Sequence, residues 1–112
     1  MQRTIYKISP RALWREAERL GEFRGAPVDL ADGFVHFSTA AQVVETAARH
    51  FAGQDDLVLA AIDAQALGEA LRWEPSRGGE LFPHLYGRLA AAQVLGVADA
   101  PLGPDGVPQL IL

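Results

Sequence analysis

The sequence predicts an α+β domain of about six strands, with its two main helices early in the chain. Three observations predict it. Two amphipathic segments, each opened by a hydroxyl residue and closed by glycine, fall in the first half. A continuous apolar run, LVLAAI at 57–62, lies between two aspartates and is too short for a helix of its own. After it, short β-rich stretches follow one another with only brief connections. That succession favours α+β over a doubly wound sheet.

Residues 4–8 (TIYKI) alternate and are rich in β-formers, so they read as the first strand. Ile5 and Lys7 face one way, Tyr6 and Ile8 the other. Ser9-Pro10 is a helix opening, with serine as N-cap and proline at the first helical position. Leu13, Ala17 and Leu20 then share a face beside Trp14, and Gly21 closes the helix. Residues 22–33 (EFRGAPVDLADG) read as a loop, broken by Gly25, Pro27, Asp32 and Gly33. Residues 34–37 (FVHF) form a short strand, with His36 opposite Val35 and Phe37. Ser38-Thr39 caps the second helix, and Gln42 completes a capping box. Val43, Val44, Ala47, Ala48 and Phe51 are its expected buried side, and Gly53 ends it.

The 57–62 run reads as a fully buried central strand. Asp63 caps a helical turn that Gly68 stops. Residues 71–74 form the next strand, broken by Pro75, and 76–79 a turn. Residues 81–86 return as a strand, and Pro83 within it predicts an edge position or a bulge. A short helical connection at 89–93 leads to a last strand at 94–98. The tail from Pro101 is a loop whose final LIL packs back. Trp73 and the 57–62 strand are expected in the core.

The 112 residues fit one domain, 1–112, with its core at about 4–99 and a tail at 100–112. A chain of this length buries roughly two thirds of its unfolded surface and folds without metal or disulfide. There is no cysteine, which excludes disulfides, thiolate metal sites and cysteine nucleophiles. The net charge is −4 with scattered basic residues, a poor match to a DNA reader. No run approaches the ~18 apolar residues of a membrane span, and the N-terminus lacks a signal peptide's apolar core. These features place the protein in the cytoplasm.

The stretch RWEPSRGGELFPHLYG, 72–87, mixes aromatics, carboxylates, a histidine and turn residues more densely than any other. Glu74, packed beside Trp73, reads as an acid or base with a raised pKa, or as a salt-bridge partner of Arg72 or Arg77. Glu80 reaches a ligand from a mobile loop, or is simply solvated. His84 and Tyr86 are two apart in a strand and share a face, either a ring-binding wall or an ordinary half-polar exterior. His36 precedes a helix N-terminus, where free N–H groups favour an anion. It reads as a donor to such a ligand, or as a half-buried histidine bonded to a backbone carbonyl. Ser38 and Thr39 read as ligands or as plain caps. There is no HExxH, GxGxxG, P-loop or GxSxG spacing, so no metal site is expected.

IYKI near the start, then DGFVHFST, LVLAAID, RWEP and GELFPHLYG, resemble a family of short bacterial proteins known only as domain of unknown function 952. The likeness runs from Ile5 to about Ala98. It implies an ADP-ribosyltransferase-like fold, a split β structure whose central cleft binds NAD in active relatives. His36 and Ser38 match the second motif; Glu74, Glu80, His84 and Tyr86 match the third. Lys7 stands where the family usually has histidine, which keeps a donor and loses the ring. The resemblance implies a small-ligand pocket for a nucleotide or phosphorylated ribose, with NAD or a related nucleotide as substrate and glycosyl or ADP-ribosyl transfer as the chemistry. Glu74, Glu80 and His36 are the catalytic candidates. Lys7, Ser38, Thr39, Trp73, His84 and Tyr86 are the ligand-binding candidates. The alternative is a non-catalytic binding module or an accessory interaction protein on the same fold. His36, His84, Tyr86 and at least one of Glu74 and Glu80 are expected to line a single pocket.

Overall fold

A computed structural model describes residues 4–112 as an α+β arrangement of antiparallel sheets and a few helices. The larger sheet has four strands in the order β4-β1-β5-β9. Its middle is β1 (Thr4–Pro10) against β5 (Leu57–Asp63); β4 (Ser38–Thr39) and β9 (Val94–Ala100) lie outside them. The apolar run of β5 is buried from Leu57 to Ala60 and again at Ile62, as a strand covered on both faces must be. Alternation along β1 divides the core. Ile5 packs with Trp14, Phe23 and Ile62, while Ile8 packs with Val43, Ala47 and Leu59 on the other face.

The second sheet has the order β3-β7-β6, built from β3 (Val35–His36), β7 (Leu81–Leu85) and β6 (Leu71–Pro75). A third pairing joins β2 (Glu22–Phe23) to β8 (Leu89–Ala90). Residues 35–39 pass from one main sheet to the other. His36 pairs with His84 in the second sheet, and two residues on Ser38 pairs with Tyr6 in the first. That short crossing fixes the distance between the two sheets and brings His36 close to β1.

All six expected strands are present, and three two-residue strands, β2, β4 and β8, add to them. Helix α1 (Arg11–Leu20) starts one residue later than the Ser9-Pro10 opening implies, because Pro10 is still paired with Leu57 in β1. Helix α3 (Ala40–His50) has Thr39 at its N-cap, where the Thr39 N–H donates to Gln42 Oε1 at 3.0 Å. Its buried side is narrower than expected: Val43 and Ala47 are covered, whereas Val44 is exposed. The stretch read as a loop at 22–33 instead contains β2 and a third helix, α2 (Pro27–Asp32). Proline sits at its first position and Gly33 follows its last, the arrangement that starts and stops a short helix.

Pro83 does not lie at an edge: β7 is the middle strand of its sheet. The ladder tolerates it for a local reason. A residue's N–H and C=O point to the same side of a strand. Pro83 uses its carbonyl toward β3, accepting the Phe37 N–H at 3.0 Å. Its missing N–H therefore faces the place where the chain turns out of the sheet toward β4. Trp73 is not in the core. It is 39% exposed, at the middle of the edge strand β6 and on the opposite face from Arg72 and Glu74. In the tail, Val107 and Leu110 pack against the Ile8–Val43 cluster, whereas Ile111 and Leu112 stay exposed.

Candidate functional site

Between β1, the second sheet, α2 and α3 lies a cleft of about 600 Å³. Lys7 and Tyr6 reach it from β1, His36 from β3, Phe82 and His84 from β7, and Phe51 from the end of α3. Its size is that of a small-molecule site, and its walls are apolar with a few polar groups.

One side of the cleft is organised by Asp29, the third residue of α2. Asp29 is buried and accepts from three residues. Oδ2 accepts the Ala26 N–H at 2.7 Å and the Lys7 ammonium at 2.9 Å. Oδ1 accepts Lys7 Nζ at 3.0 Å, the His36 N–H at 3.0 Å and His36 Nδ1 at 2.6 Å. Burial alone would raise the Asp29 pKa. The hydrogen bond from His36 and the charge of Lys7 outweigh it and hold the carboxyl at about 2. Burial pushes the Lys7 ammonium below its ordinary value, against the opposing pull of Asp29. His36 Nε2 lies 2.9 Å from Asp32 Oδ2, so both ring nitrogens face carboxylates.

The other side is organised by Glu74 on β6. Cross-strand pairing sets Glu74 against Phe82 and Arg72 against His84, so Arg72, Glu74, His84 and Tyr86 share a face. Glu74 Oε1 accepts from His84 Nδ1 at 2.8 Å and from the Tyr86 hydroxyl at 2.7 Å. These bonds, Tyr86 first, lower the Glu74 pKa; the same bond raises that of Tyr86. Arg72 lies over the Tyr86 ring at 4.8 Å. Phe34 packs between the two sides, with ring centroids 4.5 Å from His36, 4.2 Å from His84 and 5.2 Å from Tyr86.

The structure thus brings some of the sequence candidates together and leaves others apart. The His36 and His84 rings are 5.4 Å apart, and both line the cleft with Lys7 and Ser38. Ser38 Oγ is held 2.9 Å from Thr46 Oγ1, and Thr39 is buried at the start of α3. Glu74 and Tyr86 stand behind His84 rather than on the cleft wall. Glu80 is exposed and off the wall, with Oε1 3.3 Å from Gln42 Nε2. Trp73 alternates to the opposite face of β6 from Glu74 and His84 and joins neither group.

Sequence reading missed Asp29, Asp32, Phe34 and Gln42 as members of this region. Gln42 Nε2 also donates to the Leu81 carbonyl at 2.8 Å, tying α3 to β7. Among the described residues no cluster of three or more histidine, aspartate or glutamate side chains is arranged to hold a metal ion. No helix among them is long and apolar enough to cross a membrane.

Residues 8–97 match the family described as Protein of unknown function (DUF952). The crystal structure of protein CC0527 from Caulobacter crescentus is similar to this chain at 55% identity and a TM-score of 0.93, covering 96% of this chain and 94% of that one. The solution NMR structure of CC0527 is similar at 55% identity and a TM-score of 0.86, covering 96% and 92%. No curated protein matches the sequence significantly.

Proposed function

The chain belongs to the DUF952 family of proteins of unknown function, and from that premise we propose that its cleft binds a small ligand carrying a ring and a phosphorylated ribose, of the nucleotide or NAD type. The observation that carries this reading is the convergence of two histidines from different strands, 5.4 Å apart, on one wall of a cleft of about 600 Å³. Isolated polar rings on a sheet have no need to converge, whereas a binding site aims a few polar groups at one point in an apolar cleft. Tyr6, Phe51 and Phe82 offer ring contacts, and the start of α3 beside Ser38 offers a positive end for phosphate, whereas the Lys7 ammonium on the same wall is already matched by Asp29. The fold on which this works is read as ADP-ribosyltransferase-like, and the chemistry as glycosyl or ADP-ribosyl transfer.

A second reading, binding without turnover, is favoured by one observation. Neither Glu74 nor Glu80, the carboxylates expected to stabilise a developing sugar cation, lies on the cleft wall. A thermal-shift titration with NAD, ADP-ribose and ribose 5-phosphate tests the binding claim. A ligand of the native state raises the midpoint with concentration. Flat midpoints for all three would sink it. Release of nicotinamide from NAD separates the two readings: release supports transfer, and binding without release supports the module.

A further inference from the structure

We propose that His84, held by Glu74, is the proton-accepting group of the cleft, serving a ligand or water that presents a hydroxyl to its Nε2. This rests on reading the cleft as a binding site, and it assigns the chemistry to a histidine rather than to either glutamate. The geometry is that of a carboxylate–imidazole dyad. Glu74 Oε1 lies 2.8 Å from His84 Nδ1 and is fixed from a second direction by the Tyr86 hydroxyl at 2.7 Å. An ionised carboxylate only accepts, so Nδ1 must carry the hydrogen and Nε2 of the neutral ring keeps its lone pair. His84 is otherwise buried, yet its ring lines the cleft, and Nε2 has no hydrogen-bond partner among the described residues.

Phe34 packs against the ring at 4.2 Å and limits its rotation. The neighbouring His36 cannot take this role, because carboxylates occupy both of its nitrogens. An oriented imidazole with one free nitrogen in a cleft is the arrangement from which a general base works.

The step balances without a cofactor. A hydroxyl or water gives its proton to His84 Nε2 as its oxygen forms a bond to the electrophilic carbon of the ligand. The electron pair of the bond broken at that carbon leaves with the departing group. The proton on Nε2 then passes to that group or to solvent, and the ring returns to its neutral form with the hydrogen still on Nδ1. Glu74 touches no reacting atom and acts as a positioning residue through His84.

The test reads the ring itself and needs no substrate, so its failure leaves the binding proposal standing. Long-range 1H–15N NMR assigns the tautomer of neutral His84. Wild type is expected to carry hydrogen on Nδ1, and Glu74→Ala to move toward the Nε2–H form. Carbethoxylation by diethyl pyrocarbonate, followed residue by residue at about pH 8, where unperturbed imidazole is neutral, reports the nucleophilicity of Nε2. His84 is expected to react in wild type, and several-fold more slowly in Glu74→Ala, while exposed His50 reacts equally in both. Glu74→Gln, which keeps the side chain's shape, is expected to slow His84 in the same direction should the alanine variant loosen β6. An Nε2–H tautomer in wild type would overturn the proposal. So would a His84 that stays unmodified while His50 reacts, or one whose rate ignores both substitutions.

Discussion

Two carboxylate–histidine pairs stand on either side of Phe34, Asp29 with His36 at 2.6 Å and Glu74 with His84 at 2.8 Å. They look alike in outline and differ in what surrounds the carboxylate. The Asp29 side chain is 1% exposed, and both its oxygens are used by Lys7, His36 and the Ala26 N–H. The Glu74 side chain is 33% exposed, and both its bonds fall on Oε1. The first pair closes on itself: His36 is carboxylate-bound at each nitrogen and Lys7 is neutralised where it lies. The second pair is open at His84 Nε2. A buried charge must be matched on every side, and a group so matched has little left to offer a ligand. A charge left half in water can orient a neighbour and keep that neighbour's other face free.

The strongest way to break this contrast is to remove Asp29. Asp29→Ala leaves the Lys7 ammonium buried without its acceptor and takes one of two carboxylates from the half-buried His36 ring, and is expected to cost about 3–5 kcal/mol in a denaturant titration. A loss under about 1 kcal/mol, the scale of an exposed pair, would place Asp29 in the same class as Glu74. The acid limb gives an independent reading. The folded-state pKa of about 2 lies below the ordinary 3.8, so the stabilisation is full above the ordinary value and is lost as pH falls through about 2. Its size is on the order of 2 kcal/mol, and that part of the acid transition should vanish in the variant.

Gly25 sharpens the contrast with a smaller effect. Its φ is +132°, and a Cβ there would stand 2.9 Å from the Asp29 Cβ. The substitution Gly25→Ala both strains the backbone and pushes on the carboxylate that three groups hold in place. We expect a loss of about 1–3 kcal/mol by thermal or chemical melting. Unchanged stability would mean that the Asp29 cluster shifts freely, contrary to a closed arrangement.

Much of this was legible in the sequence, and the parts that were not share a cause. The buried run of β5, the Thr39–Gln42 cap and the side on which His36 points all follow from local periodicity and cap chemistry. Asp29 was hidden because α2 has six residues, too few to show a repeating apolar face. Pro27 and Gly33 at its two ends were the available signal, and in a glycine-rich stretch they read equally well as loop breakers. Phe34 gave no signal, since one aromatic at a strand start is ordinary core material. Trp73 misled in the opposite way: its size suggests burial, but its place on an edge strand, which tertiary pairing alone decides, leaves it exposed. Pro83 is tolerated in a middle strand because β3 leaves the sheet beside it, a fact of tertiary pairing that no local pattern carries.

The smallest expected effect concerns Tyr86, and it examines the open side of the contrast alone. The hydrogen bond to Glu74 is the main cause that raises the Tyr86 phenol above its ordinary pKa, with burial and the charge of Glu74 adding to it. Arg72 above the ring works the other way, favouring the phenolate. Removing Glu74 therefore takes away two of the raising influences, its hydrogen bond and its charge, and leaves burial opposed by Arg72. In Glu74→Ala the Tyr86 phenolate should appear at lower pH than in wild type, followed by its ultraviolet absorbance. The chain has two tyrosines, so Tyr86→Phe identifies which transition belongs to Tyr86 and should leave that of Tyr6 alone. Glu74→Ala should cost clearly less than Asp29→Ala, because the carboxylate it removes was already partly in water, the main loss being the single bond to the buried His84 ring. An unmoved Tyr86 titration would mean that Glu74 does not hold the hydroxyl in solution. The second direction from which its carboxylate is fixed, and with it the rigidity of the open pair, would then be lost.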